Sequence, residues 1–337
     1  MRIVYDELYG DHLRGIPHPE SPGRVEAVAD FLRSSGKFEN VIAPRDATAT
    51  EIERVHSSGY VDLVRAEVAG MADFAGYLST GDTVIDVRSF NVARRAAGGA
   101  VVAMETAMHE GGSAFAVVRP PGHHAEARRG MGFCVFNNAA IAARAAQAQF
   151  GARTLIVDFD YHHGNGTQAV SGDGLSYVST HAFPAYPGTG SRDENYALPE
   201  HDAIVNVPLP PHDFGTEPFV ALWERLLVAT AARVRPDLLI VSAGFDYVKG
   251  DPAGDLGVDV EAASHLGALI DRVAREHCGG RVAYVLEGGY DLDALARSVA
   301  AVIEAHDALQ TGAASGAEGS AIPQPQRELL ETIETLD

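Results

Sequence analysis

The stretch that decides the fold is Val157–Gln168, VDFDYHHGNGTQ. It closes an apolar run that begins at Thr154 (TLIVDF, Thr154–Phe159) and turns at once into carboxylates, imidazoles and glycines. A continuous apolar run, rather than an apolar/polar alternation, is the pattern of a strand covered on both faces. Five more such runs are read as strands: Arg2–Tyr5, Ala114–Val118, Leu175–Thr180, Leu238–Ser242 and Val282–Leu286. Helical patterns separate them. One starts near Ser21 with Pro22 in its first turn, and Val25, Val28 and Leu32 follow at helical spacing. Others cover Asn91–His109, Asn138–Phe150, Pro218–Val234, Val260–His277 and Leu292–Leu309. Alternating strand and helix predicts an α/β fold: a central, mostly parallel sheet with helices on both faces. In such a sheet the ligand site lies beyond the carboxyl ends of the strands.

Those ends carry the chemistry. Ala114–Val118 is followed by RPPGHHAE, with His123 and His124; the deciding stretch brings Asp158, Asp160, His162 and His163. His181 follows Leu175–Thr180, Asp246 follows Leu238–Ser242, and Tyr290 follows Val282–Leu286. In an extended segment residues two apart share a face, so Asp158, Asp160 and His162 can converge. With Asp246 they form a set suited to Zn²⁺ or another divalent transition metal. A catalytic zinc takes three protein ligands, so one acid is left over, and Asp158 at a strand end is placed to orient a neighbouring histidine. Pro-Pro-Gly before the histidine pair is a stiff turn, which two adjacent residues need if both are to enter one site. Such a pair can divide acid and base work. Tyr290, after two glycines, can donate its phenol to a developing oxyanion. Taken singly, each of these features is also a common solvated turn or cap.

The rest of the chain sets limits. Its 337 residues carry 26 Lys and Arg against 46 Asp and Glu, a formal charge of 26 − 46 = −20. That excess argues against a nucleic-acid partner and is compatible with a cationic substrate. Two cysteines, Cys134 and Cys278, make no disulfide framework, which points to the cytoplasm. No apolar run reaches the length of a membrane span, and the first residues lack a signal-peptide core. One compositional break, at Thr311, divides an expected single domain, 1–310, from a linker and short helix (Arg327–Leu336) within 311–337.

Together the motifs resemble the histone deacetylase superfamily of zinc amidohydrolases, which includes bacterial acetylpolyamine amidohydrolases. HPESPGR, RVHSSGYVDLV, RPPGHHA, GFCVFNN, VDFDYHHGNGTQ, STHAFPAYPGTG, SAGFDYVKGDPAGDL and VLEGGY occur in family order over about residues 17 to 290. The resemblance implies an arginase-like deacetylase fold and hydrolysis of an N-acyl amide by metal-activated water. It makes Asp160, His162 and Asp246 the ligands of one Zn²⁺. His123 and His124 become the tandem pair, with His124 as general base and then acid, Asp158 the partner of His123, and Tyr290 the oxyanion donor. Gly132, Phe133 and Tyr186 match the substrate tunnel, the last usually Phe, and Asp82 or Asp86 is expected at its rim. A structural K⁺ or Na⁺ is implied at Asp158, Asp160, His162, Ser179 and Thr180. Arg24 matches an arginine on an internal product channel.

Two departures bear on specificity. Asn165 partners the second histidine where some relatives have Asp, and a neutral amide raises the histidine pKa less than a carboxylate would. Ala253 follows Gly-Asp-Pro where one type of polyamine-selective relative has a Glu, with Asp255 two residues on. The substrate implied is a small cationic or acyl-amine molecule, most simply an acetylated polyamine. Protein acetyl-lysine is the alternative, and the resemblance leaves room for a homo-oligomer. A dinuclear manganese ureohydrolase shares the sheet but needs more acids and has no use for a tunnel tyrosine. A non-catalytic acyl-amine binder would not need every chemical position filled.

Overall fold

The computed structural model describes residues 1–39, 41–71, 74–198 and 201–310, so the expected linker and helix in 311–337 lie outside the described residues. The strands are β1 (Arg2–Val4), β2 (Val41–Ile42), β3 (Gly76–Tyr77), β4 (Val84–Ile85), β5 (Ser113–Ala116), β6 (Thr154–Asp158), β7 (Leu175–Ala182), β8 (Tyr196–Ala197), β9 (Ala203–Leu209), β10 (Leu238–Ala243) and β11 (Val282–Leu286). The helices are α1 (Gly23–Ser34), α2 (Ala49–Ile52), α3 (Ser58–Gly70), α4 (Ser89–Glu110), α5 (Asn138–Phe150), α6 (Asn165–Ala169), α7 (Thr216–Val234), α8 (Ala262–Cys278) and α9 (Leu292–Gln310).

Nine strands form one sheet in the order β2-β1-β5-β11-β10-β6-β7-β9-β8. Every pairing is parallel except that of β8 with β9. The expected architecture is therefore the observed one. Helices cover both faces: β10 packs against α5 and α8, β11 against α4 and α8, and β6 against α5 and α7. Central strands β5, β6, β10 and β11 are buried along their whole length, which is why their sequences are continuous apolar runs.

The strand ends shift by small amounts. β5 stops at Ala116 and β6 at Asp158, while β7 runs on to Ala182, so His181 lies inside a strand. Pro22 is the residue just before α1 rather than within its first turn. β9 is an element the patterning does not announce, because Asn206 and Pro208 interrupt it. Proline is tolerated there because β8 pairs with β9 only at Ala203 and Ile204, leaving the far edge at Pro208 with no ladder to donate to.

Candidate metal and catalytic centre

Four central strands, β5, β11, β10 and β6, end side by side, and the segments leaving them meet in one cleft. β6 ends at Asp158, in register with Ser242 of β10 and Ser179 of β7. Asp160 and His162 follow two and four residues later, and the backbone N–H of His162 donates to Asp160 Oδ1 at 2.8 Å. Asp246 reaches in from the loop after β10 and accepts the Tyr161 N–H at 2.9 Å. The ligating atoms of Asp160, His162 and Asp246 all lie within 4.8 Å of one another. Glycines make room: a Cβ on Gly244 would collide with the Asp160 carboxylate, and one on Gly288 with both carboxylates. The Gly288 N–H donates to Asp160 Oδ2 at 2.8 Å.

The electrostatics of this trio call for a positive charge at its centre. His162 Nδ1 faces Asp160 Oδ1 at 3.2 Å and Asp246 Oδ2 at 2.9 Å. Burial pulls this imidazole down, but the two carboxylates outweigh it and push His162 up to about 10. Burial, with Asp160 adding, raises Asp246 to about 6, while His123 and His162 hold Asp160 below the usual carboxylate range against the cost of burial. Two buried carboxylates converging beside an imidazole, their ligating atoms within 4.8 Å of one another, form a donor set for a divalent metal ion. The residues present fit such an ion.

His123 and His124 stand beside the trio with ring centroids 4.1 Å apart. Their partners differ. His123 Nδ1–H donates to Asp158 Oδ2 at 3.2 Å, and the same oxygen accepts from the Tyr177 hydroxyl at 3.0 Å. Burial lowers His123, yet Asp160 and Asp158 overcome it and raise the group to about 10. His124 Nδ1–H donates to Asn165 Oδ1 at 2.8 Å, and Asn165 Nδ2 is fixed as a donor by Glu126 Oε1, also at 2.8 Å. Burial, then the neighbouring His123 and His162, pushes His124 well below the ordinary 6.5. The carboxylate beside His123 thus favours its protonated form, while burial and a neutral amide partner favour neutral His124.

The wall above them is built from the other expected residues. Tyr186 sets its ring 5.1 Å from that of His124, edge to face, and its hydroxyl donates to Asp82 Oδ2 at 3.0 Å. Asp82 also accepts the Gly132 N–H at 2.8 Å, so one exposed carboxylate ties two sides of the wall. Phe133, at a φ of 67°, lies 5.9 Å from the Tyr290 ring. Burial keeps the Tyr290 phenol protonated, and the Arg24 guanidinium stacks 4.8 Å from its ring centre. Asp86 is not at this rim; it is buried and paired with Arg88 and Ser89. Ser179 and Thr180 are buried in β7, with Ser179 Oγ 2.8 Å from His181 Nδ1 and Thr180 Oγ1 without a hydrogen-bond partner. His163 and His181 turn away from the cleft: His163 Nδ1 bonds Thr189 at 2.7 Å, and His181 Nε2 bonds the Gly190 carbonyl at 2.7 Å.

Several contributors escape a reading of the sequence. Glu287 is fully buried behind the histidines, Tyr177 sits in mid-strand, and Glu126 supports Asn165. For Glu287 the signal is no more than an acid directly after the apolar run Val282–Leu286, which residue type alone reads as an ordinary strand-end turn. Tyr177 has none, because a strand tyrosine is ordinary core.

Comparison with known proteins agrees with this geometry. The family model described as "Histone deacetylase domain" matches residues 18–306. "Histone deacetylase 15" of Arabidopsis thaliana is 38% identical over 297 residues, covering 86% of this chain and 52% of that protein. A "Probable deacetylase" of Archaeoglobus fulgidus is 34% identical, covering 98% and 90%. "Polyamine deacetylase HDAC10" of Homo sapiens is 37% identical, covering 85% and 44%. The chain thus spans about half the length of the plant and human relatives and most of the archaeal one. The solved "HDA15 HD domain" superposes with a TM-score of 0.83 at 33% identity, over 99% of this chain and 94% of that one. Among the described residues no helix is long and apolar enough to cross a membrane. The matched family and the clustered acids and histidines both support hydrolase activity, and the chain belongs to the histone deacetylase family.

Proposed function

We propose that this protein is a zinc-dependent amidohydrolase that removes an acetyl group from an amine. The observation that carries the reading is the pairing of a metal-capable trio with two adjacent histidines, one hydrogen-bonded to the Asp158 carboxylate and the other to the Asn165 amide. Zinc held by Asp160, His162 and Asp246 would supply Lewis acidity toward water and the amide carbonyl. Everything else is done by side chains. With Nδ1–H engaged by Asn165, His124 offers its Nε2 lone pair to the attacking water and returns the proton to the leaving amine. An amine leaves poorly unless protonated, so the acid must stand on that side. His123, cationic against Asp158, contributes fixed positive charge to the developing oxyanion. The Tyr290 phenol donates to the same oxygen. Asp82, Gly132, Phe133 and Tyr186 form the passage through which the acyl amine enters. A structural K⁺ or Na⁺ beside Asp158, Asp160, His162, Ser179 and Thr180 would give the orphaned Thr180 hydroxyl a partner.

The substrate favoured is a small acetylated amine such as an acetylpolyamine, drawn by the −20 charge. The likeness to proteins named histone deacetylases favours protein acetyl-lysine as the second reading. Purified enzyme with its metal content measured should be assayed on acetylpolyamines, acetyl-lysine peptides and simple N-acetyl amines. Higher kcat/KM on acetylpolyamines than on peptides supports the first reading, the reverse order supports the second, and no turnover of any acetamide rejects both.

A further inference from the structure

Successive residues of an extended chain face opposite ways, so two adjacent histidines enter one cleft only if the backbone between them is held in a turn. Three points of that turn are held by neutral groups. Asn138 Nδ2 donates to the Pro120 carbonyl at 3.0 Å, the Thr167 N–H donates to the His123 carbonyl at 3.1 Å, and Asn165 fixes the His124 ring. A further anchor is a buried carboxyl group. Glu287 is 0% exposed, and its Oε2 accepts the Gly122 N–H at 2.6 Å and the His123 N–H at 3.1 Å. Its Oε1 faces the Ser242 hydroxyl at 3.5 Å.

A carboxylate is costly to bury, and nothing in the proposed chemistry uses this one as an acid or base. What it does provide is a single acceptor oxygen shared by two backbone amides at the point where the turn begins. The same segment also grips the rest of the site: Gly288 N–H holds Asp160, the Gly289 carbonyl accepts from Arg24 Nε at 2.6 Å, and Tyr290 comes next. Glu287 therefore sits where the histidine turn, a metal-site carboxylate and the oxyanion tyrosine are joined.

We propose that Glu287 is the positioning residue of the histidine pair, its carboxylate holding the Gly122 and His123 amides so that both imidazoles enter the cleft. The proposal rests on the deacetylase reading for its consequence in turnover, but not for its geometry. Two conservative variants separate reach from charge. Glu287→Gln keeps an acceptor oxygen at the same reach, and its amide can donate to Ser242. Glu287→Asp keeps the charge but withdraws the oxygen by one methylene.

Metal-loaded wild type and both variants should be compared by steady-state kinetics and by backbone amide NMR. The Asp variant is expected to lose about 10²-fold in kcat, the scale of a 1 Å misplacement, with KM little changed. The Gln variant should stay close to wild type. The Gly122 and His123 amide proton resonances should move in the Asp variant and hold in the Gln variant. These resonances are read without turnover, so an inactive wild type would reject the deacetylase reading while leaving the positioning test intact. Gln as impaired as Asp, Gln worse than Asp, or Asp indistinguishable from wild type each overturns the proposal. Should the Asp variant lose its fold, the Gln variant decides alone, and displaced amide resonances there overturn it.

Discussion

Asn165 presents Oδ1 to Nδ1 of His124 at 2.8 Å, a neutral acceptor 41 residues along the chain. An amide orients the ring without stabilising its charged form as a carboxylate would. Activity that needs neutral His124 is lost as pH falls through its pKa, which burial and the neighbouring His123 and His162 place well below 6.5. Asn165→Asp raises that pKa, so the acid limb of the kcat/KM profile should move to higher pH by about one to three units. His124→Ala should abolish turnover of ordinary acetamides and recover part of its rate on a substrate whose leaving group needs no proton. Rescue in the His123→Ala variant instead would exchange the two roles.

Tyr290 offers a second test. Tyr290→Phe keeps the ring beside Phe133 and Arg24, so fold and metal content should persist. Loss of one oxyanion donor costs about 2.7–4 kcal/mol, or roughly 10²–10³ in kcat. KM should change less, since the bond strengthens mainly in the transition state. A normal kcat in the metallated variant would place the oxyanion elsewhere.

Metal content is checked at Asp246, whose Oδ2 lies 2.9 Å from His162 Nδ1. Asp246→Ala removes one of the three donors and should lose both stoichiometric metal and turnover, as read by elemental analysis of the purified protein. A strong chelator should inactivate the wild type while circular dichroism stays nearly unchanged, because the trio lies beyond the strand ends and is no part of the apolar core. Full metal occupancy in the variant would move the site.

Acid stability is expected to depend on Glu51, which is not among the candidate site residues. It completes a capping box with Thr48 at the start of α2 and takes Arg45 Nη2 at 2.7 Å. Burial opposes its charge, but Arg45 and Thr48 prevail and lower it to about 2. A folded pKa below the unfolded value gives stability that is whole above about pH 4.5 and fades as pH falls through about 2. Glu51→Gln should therefore cost about 0.5–2 kcal/mol at neutral pH, the scale of a lost cap. Urea melts at pH 7 and pH 2.5 should show that difference shrinking in acid.

Much of this molecule is written in its apolar runs. β6, β10 and β11 lie where unbroken stretches such as TLIVD and VAYVL place them, because strands covered on both faces leave no polar position. α3 was not legible: Gly59 and three valines lower its helical preference, and only tertiary burial of Tyr60, Val61, Val64 and Val68 decides it. At the site, residue type and two-residue spacing bring Asp158, Asp160 and His162 forward as candidates, and the fold sets Asp160 and His162 beside Asp246 and Asp158 beside His123. Type and spacing cannot name Glu126 or Glu287, whose partners lie 39 and 165 residues away and are fixed only by the folded path of the backbone. Nor could spacing separate Asp82 from Asp86, since the fold sends one to Gly132 and Tyr186 and the other to Arg88.

The place of β11 in the sheet sets the order in which a newly made chain can become an enzyme. Val282–Leu286 lies between β5 and β10, yet among the described residues it is the last strand to leave the ribosome. Until then two strand edges face an empty lane, a state open to pairing with other chains. The insertion that closes this gap also delivers Glu287 and Tyr290. Nascent chains halted before residue 282 should therefore carry the trio's three residues but no working centre, so that competence arrives in a single late event rather than by degrees.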